Sequence, residues 1–173
     1  MPNRFGAVFS AAAVAAALAC LVVACSSSKA PVSGPHLAGL DQIESRLGHK
    51  ISRPGPALGA VLIRSGFLDP SGSTFKGLTA AASYTWHDRV VLIRQGTPAD
   101  GWTLHGSINR GDVTFQTRTD GSEVAFLPQV GGSSASASIV PAGWLVNVDI
   151  AASTPKGPVP LDDLKAFVNG LEP

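Results

Sequence analysis

The chain has 173 residues, of which 45% are hydrophobic, 14% charged and 6% aromatic, a composition that excludes a disordered polyelectrolyte. There are 13 basic and 12 acidic residues and no long run of either sign, so we expect no nucleic-acid partner. Both cysteines, Cys20 and Cys25, lie near the start of the chain. The rest of the chain therefore can form no disulfide and no cysteine-ligated metal site.

The first 24 residues have the pattern of an export signal. A single basic residue is followed by an apolar stretch, residues 6–24, that contains no charged side chain. The stretch ends in Val22-Val23-Ala24 and is followed by Cys25, and this motif resembles the lipobox of bacterial lipoprotein signal peptides. A Ser-Ser-Ser-Lys segment follows at once, as a polar linker after a lipidated cysteine would.

The lipobox resemblance implies cleavage before Cys25 and attachment of diacylglyceryl and N-acyl lipid to that residue. The protein would then be held on the extracytoplasmic face of the cell membrane, in a bacterial cell envelope. Two alternatives stay open. The apolar stretch is long enough to be an uncleaved membrane anchor, and the ordinary signal peptidase could cut after Ala19.

The mature chain divides into a tether and one domain. Residues 25–35, which comprise the lipidated cysteine and the segment SSSKAPVSGP, are rich in Ser, Pro and Gly and predict a flexible tether. Residues 36–173 have the length of a single domain. Within it, the first predicted element is an amphipathic helix between His36 and His49 that stops at Gly48. Its apolar residues at helical spacing are Leu37, Leu40, Ile43 and Leu47.

From Ala57 onwards, the hydrophobic period changes to two, and turn residues recur every eight to twelve positions. This pattern predicts about eight mostly sequential antiparallel strands. They cover residues 57–65 (buried on both faces), 78–86, 89–95, 102–109, 113–119, 122–127, 134–140 and 144–150. We expect a tight turn at His87-Asp88 and a type I′ hairpin turn at Asp120-Gly121.

A second amphipathic helix is predicted over residues 161–171, with Gly170 near its end. The predicted fold class is therefore α+β. It consists of a meander sheet or half-barrel with one amphipathic helix at each end.

The domain carries no recognisable catalytic signature, and we predict no catalytic residue, no cofactor site and no metal site. Gly-x-Ser-x-Gly, Ser-x-x-Lys and His-Glu-x-x-His are all missing from the sequence, and His105 has no histidine partner at metal-ligand spacing. Trp86, Trp102 and Trp144 each fall on the apolar face of a predicted strand. They form core, or they line a pocket for an apolar ligand.

These observations favour an envelope lipoprotein whose domain is a non-enzymatic binding or structural module for an envelope protein or wall component. One alternative is a carrier of lipid or another apolar ligand, which needs a cavity between sheet and helices. The other is a wall-directed enzyme, which needs convergent polar groups, such as His105 with a carboxylate, in one cleft.

Overall fold

The computed structural model describes residues 36–68, 74–108, 111–128, 135–141, 143–152 and 157–173. The predicted signal peptide, Cys25 and the tether lie outside the described residues. Ten strands are described: β1 His36–Leu37, β2 Arg53–Pro54, β3 Val61–Leu68, β4 Phe75–Trp86, β5 Arg89–Pro98, β6 Thr114–Thr117, β7 Glu123–Leu127, β8 Ala135–Val140, β9 Leu145–Ile150 and β10 Leu171–Glu172. Three α-helices accompany them: α1 Leu40–Leu47, α2 Leu104–Ser107 and α3 Leu161–Asn169. A single turn of 3-10 helix spans Pro56–Leu58.

The main sheet confirms the α+β class with antiparallel strands. It has eight strands in the order β1-β3-β4-β5-β9-β8-β7-β6, and β2 pairs separately with β10. Two sequential runs, β3 to β5 and β6 to β9, are joined where β5 pairs with β9, so the sheet is not one continuous meander. The helices are not the outermost elements of the described domain, because β1 precedes α1 and β10 follows α3.

The first predicted helix is shorter than expected. Gly39 has extended backbone at the N-cap, its N–H donates to Gln42 Oε1 at 3.2 Å, and the helix begins only at Leu40. Gly48 ends it with φ of 64°, a left-handed conformation that glycine adopts at little cost. Leu37, predicted on the packed face of this helix, instead lies in β1 and is 75% exposed.

The prediction that residues 57–65 form a strand buried on both faces was wrong. The strand begins at Val61, and its first three residues, Val61, Leu62 and Ile63, are exposed. β1 pairs only with Gly66 and Phe67. The first half of β3 therefore has no strand on its outer side among the described residues, and it lies at the border of the sheet.

The strand predicted for residues 102–109 was also wrong, because this segment contains helix α2. Thr103 is its N-cap, and the Thr103 hydroxyl accepts the Gly106 N–H at 3.1 Å. Trp102 precedes the helix in irregular structure and is half-buried. With no strand in this segment, β5 pairs with β9 and β6 lies at the far edge of the sheet.

The tight turn predicted at His87-Asp88 is present, and it is this turn, not the one at Asp120-Gly121, that has type I′ geometry. His87 and Asp88 both have positive φ, 49° and 58°, as a type I′ turn requires. In the predicted type I′ turn, only Gly121 has positive φ. The Gly121 N–H donates to Arg118 O at 3.0 Å, and the Arg118 N–H donates to Ser122 O at 2.9 Å. This pattern is that of a three-residue hairpin loop.

The core lies on one face of the main sheet, which α1 and α3 cover. The predicted alternation in β4 is confirmed from Ala80 to Trp86, where every second residue is buried, but Thr79, which was expected on the polar face, is buried as well. Helix α3 buries Leu164, Phe167 and Val168 against this face, and each such side chain contributes about 1.5–3 kcal/mol. Gly170 ends this helix as predicted, but glycine is needed there for lack of space and not for a left-handed backbone. Gly170 has φ of −90°, and a Cβ there would lie 2.6 Å from Leu58 Cγ.

A buried glutamine fixes the loop after α1 to the sheet. Gln95 is 1% exposed and lies on the core face of β5. Its Nε2 donates to Ser52 O and its Oε1 accepts the Ser52 N–H, both at 2.8 Å. Both polar ends of the side chain are thus satisfied, as a buried amide requires.

Candidate functional site

Two of the three tryptophans singled out in the sequence belong to the core. Trp86 meets Phe167 edge-on at 5.1 Å between ring centroids, and Trp144 stacks on the imidazole of His49 at 4.4 Å. Trp102 lies outside the apolar clusters to which these residues belong. The suggestion that all three line an apolar pocket stays a prediction, as does lipidation of Cys25, which lies outside the described residues.

His49, His87 and His105 are the histidines whose side chains the structure describes, and all three are exposed. His87 is exposed in its hairpin turn, and its ring stacks on Trp86. His105 lies on α2, stacks on Phe115 at 4.2 Å and has Nε2 3.6 Å from Glu123 Oε2. Both side chains of this last pair are more than half exposed. Among the described residues, no group of three or more His, Cys, Asp or Glu side chains could hold a metal ion.

A polar cleft of about 380 Å³ lies between the β6–β7 hairpin and the C-terminal end of α3. Four of its residues follow one another at the end of β6, one comes from β7 and one from α3. They are Gln116, Thr117, Arg118, Thr119, Phe126 and Asn169. Hydroxyl, amide and guanidinium groups thus surround the cleft, and a buried aromatic side chain lies beneath them.

Among the described residues that line this cleft, only Arg118 is charged, and its guanidinium is weakly engaged. Its side chain is 21% exposed. Nη2 lies 3.5 Å from Leu171 O, and Nη1 lies 3.7 Å from Asp120 Oδ2. Charge-assisted N–H···O bonds are normally about 2.7–2.9 Å long, so both contacts leave the guanidinium with hydrogen-bonding capacity.

Asp120 is committed to the turn and not to the arginine. Its Oδ1 accepts the Ser122 hydroxyl at 2.5 Å and the Ser122 N–H at 2.9 Å. These two hydrogen bonds, and secondarily the charge of Arg118, hold the pKa of Asp120 below its ordinary value. The carboxylate therefore stays ionised at the rim of the cleft while the arginine faces the cleft with a weak partner.

A second polar group lies on the face of the main sheet opposite the core. Asp149 joins three strands there, since its Oδ2 accepts from Arg94 Nη2 at 2.8 Å and its Oδ1 from the Ser136 hydroxyl at 2.6 Å. These residues are neighbours across β5, β9 and β8. Both oxygens of the carboxylate are used, so this network stabilises strand pairing.

Sequence reasoning missed the cleft, although one signal was present. Gln116 to Thr119 is a run of four polar residues in a short segment where only one face needed to be polar. Asn169 lies some fifty positions further on, so its place beside this run depends on the docking of α3.

A scan against protein-family models found no match, and neither a search of the curated proteins nor one of the solved structures returned a similar chain. Within the part of the chain that the structure describes, no helix is long and apolar enough to cross a membrane. The carrier and wall-enzyme alternatives stay predictions.

Proposed function

We propose that this protein is a cell-envelope lipoprotein, anchored by lipid on Cys25, whose domain binds a ligand without catalysing a reaction. The ligand carries an oxyanion, a carboxylate or a phosphate, and enters the cleft beside Arg118. The motif Val22-Val23-Ala24-Cys25 supports the anchor, and the lining of the cleft supports the binding function. An envelope protein or wall component with an exposed acidic group is the class of partner that fits.

The weak engagement of the Arg118 guanidinium is the observation that carries the binding proposal. A guanidinium presents its donors in a planar fork that matches the two oxygens of a carboxylate or phosphate. The nearest protein carboxylate, Asp120, is 3.7 Å away and already bonded to Ser122. An incoming oxyanion would therefore gain short hydrogen bonds without having to displace a strong internal ion pair.

The remaining groups of the cleft suit the rest of such a ligand. The hydroxyls of Thr117 and Thr119 donate or accept, and the amides of Gln116 and Asn169 do both. A volume of about 380 Å³ is near the lower end of the range for small-molecule sites. We therefore expect a small acid, or the acidic end of a longer chain, to be bound.

The half-barrel shape expected for the sheet also belongs to this proposal. Register shifts occur between Leu62 and Arg64 in β3 and between Lys76 and Ala80 in β4. Bulges at such shifts bend the strand and increase its twist, which would curve this half of the sheet towards the helices.

The binding proposal is tested by titrating the full mature chain with inorganic phosphate and, separately, with acetate, while amide chemical shifts are followed. The two titrations distinguish a phosphate ligand from a carboxylate ligand. Shifts confined to β6, β7 and the end of α3 are expected with at least one of the two. Arg118→Gln should weaken that binding at least about tenfold, since a charge-assisted bidentate contact is lost. Arg64→Gln, on β3, is the matched control and should leave the affinity unchanged. Equal affinities in the wild type and Arg118→Gln would contradict the proposal.

The anchor has its own test. Mass spectrometry of the membrane-extracted protein should find lipid on Cys25, and Cys25→Ser should abolish it. Cys20→Ser, which changes the cysteine inside the export signal, should leave lipidation intact. A mature chain that begins at residue 20 without lipid would show ordinary signal peptidase cleavage after Ala19 instead.

A further inference from the structure

Lys165, on α3, places a second positive charge beside the cleft of Arg118. Its Nζ lies 5.9 Å from the centroid of the Phe126 ring, and Phe126 lines the cleft. Lys165 also precedes Asn169, another lining residue, by four positions. The two residues therefore lie on one face of α3, about 6 Å apart along its axis. Lys165 is thus adjacent to two lining residues without forming part of the lining itself.

The Lys165 ammonium is weakly held in this position. Its distance from the Phe126 ring is close to the limit of about 6 Å for a cation–π contact. Within the part of the chain that the structure describes, Lys165 forms no ion pair, not even with Asp162 or Asp163 of the same helix. The residue is partly exposed, and its four-carbon stem is flexible, so the ammonium can turn towards an anion in the cleft.

The two cations lie towards opposite ends of the cleft. On the hairpin side, the Arg118 N–H donates to Ser122 O, and Phe126 is four residues beyond Ser122, about 13 Å along the strand. On the helix side, the Arg118 guanidinium contacts Leu171 O, and Lys165 is six residues earlier, about 9 Å at the helical rise. Both walls therefore have the guanidinium near one end and the ammonium near the other.

We propose that the ligand of this cleft carries a second acidic group, and that Lys165 binds that group. This inference rests on the proposed binding of an oxyanion at Arg118. The ionised Asp120, 3.7 Å from the guanidinium, offsets part of the attraction that Arg118 has for an anion, whereas no carboxylate of the described residues pairs with Lys165. The ligand class is a short chain with an acid at each end. A carboxylate or phosphate lies at Arg118, and a carboxylate lies at Lys165.

Matched ligands that differ only in the second acid test this proposal. Hexanoate is compared with adipate, and hexylphosphonate with phosphonohexanoate, so that the members of each pair share a head group and a chain length. Affinities are measured from amide chemical shifts of the full mature chain at constant ionic strength, which keeps the screening of charges equal. In the pair whose head group binds at Arg118, the second carboxylate should tighten binding about threefold to fivefold, as an exposed ion pair does.

Three variants assign this gain in affinity to Lys165. Lys165→Gln should remove the gain and leave the affinity for the single acid unchanged. Lys165→Arg keeps the positive charge and should retain the gain. Lys76→Gln, which removes a lysine from β4, is the matched control and should also retain it. Circular dichroism establishes that each variant is folded.

The outcomes separate this inference from the proposed function. Equal affinities within both pairs, with binding at Arg118 observed, overturn the second acidic group and leave the oxyanion site intact. A gain that persists in Lys165→Gln overturns the role of Lys165, as does an equal loss of affinity for both members of a pair in that variant. Absence of binding by all four ligands contradicts the oxyanion site and this inference with it.

Discussion

Replacement of Tyr84 by phenylalanine should stabilise the protein, which is the reverse of the usual effect of a core substitution. Tyr84 is 4% exposed, and its hydroxyl has no hydrogen-bond partner within the described residues. An unsatisfied buried hydroxyl costs about 1–3 kcal/mol, whereas the ring makes the same contacts in either residue. We expect Tyr84→Phe to raise the free energy of unfolding by about 1 kcal/mol and Tm by about 3–5 °C.

The same substitution should remove an alkaline instability. Burial raises the pKa of Tyr84, and the charge of Arg53 offsets this only in part. Below about pH 10 the phenol is neutral in both the folded and the unfolded state. Above that value the unfolded state ionises first, so stability falls as pH rises towards the higher pKa of the folded state. The gap between Tyr84→Phe and the wild type should therefore widen above about pH 10.

One measurement isolates this group, because the chain has a single tyrosine. Phenolate absorbance of the folded protein therefore reports Tyr84 alone, and thermal unfolding followed by circular dichroism gives the stability of each variant. Tyr84→Leu, which removes the ring as well, controls for packing and should destabilise by about 1–3 kcal/mol. An ordinary tyrosine titration near pH 10, or a Tyr84→Phe protein less stable than the wild type, would refute the reasoning.

Three further substitutions test the fold around the site. Gln95→Leu removes both hydrogen bonds to the loop after α1 and should cost about 2–4 kcal/mol in urea unfolding; no loss would mean that water replaces the amide. Asp120→Asn should make the fall in Tm below about pH 4 less steep. In the wild type, the hydrogen bonds from Ser122 hold the pKa of Asp120 low, so the stabilisation that the ionised carboxylate gives, under about 1 kcal/mol, is lost as pH falls. Gly170→Ala should cost about 1–3 kcal/mol through overlap with Leu58, and a double-mutant cycle with Leu58→Ala should show that the two effects are not additive.

The alternation of side chains predicted the interior strands well because it reports burial on one face. β4, β8 and β9 each bury every second residue along at least part of their length, as their sequences indicate. Alternation failed over residues 102–109, where Thr103 provides an N-cap for a one-turn helix. Four alternating positions are too few to distinguish a short strand from a helical turn with one buried face.

The exposure of Val61, Leu62 and Ile63 at the start of β3 could not be predicted from those residues alone. Three consecutive aliphatic residues fit a strand buried on both faces, as in the centre of a sheet. Whether a strand is central depends on which strands pair with it, and here β1 covers only two residues of β3. The cleft could not be predicted either, because it also depends on residues far apart in the sequence. Arg118 and Asn169 line the same cleft only because α3 docks beside the β6–β7 hairpin.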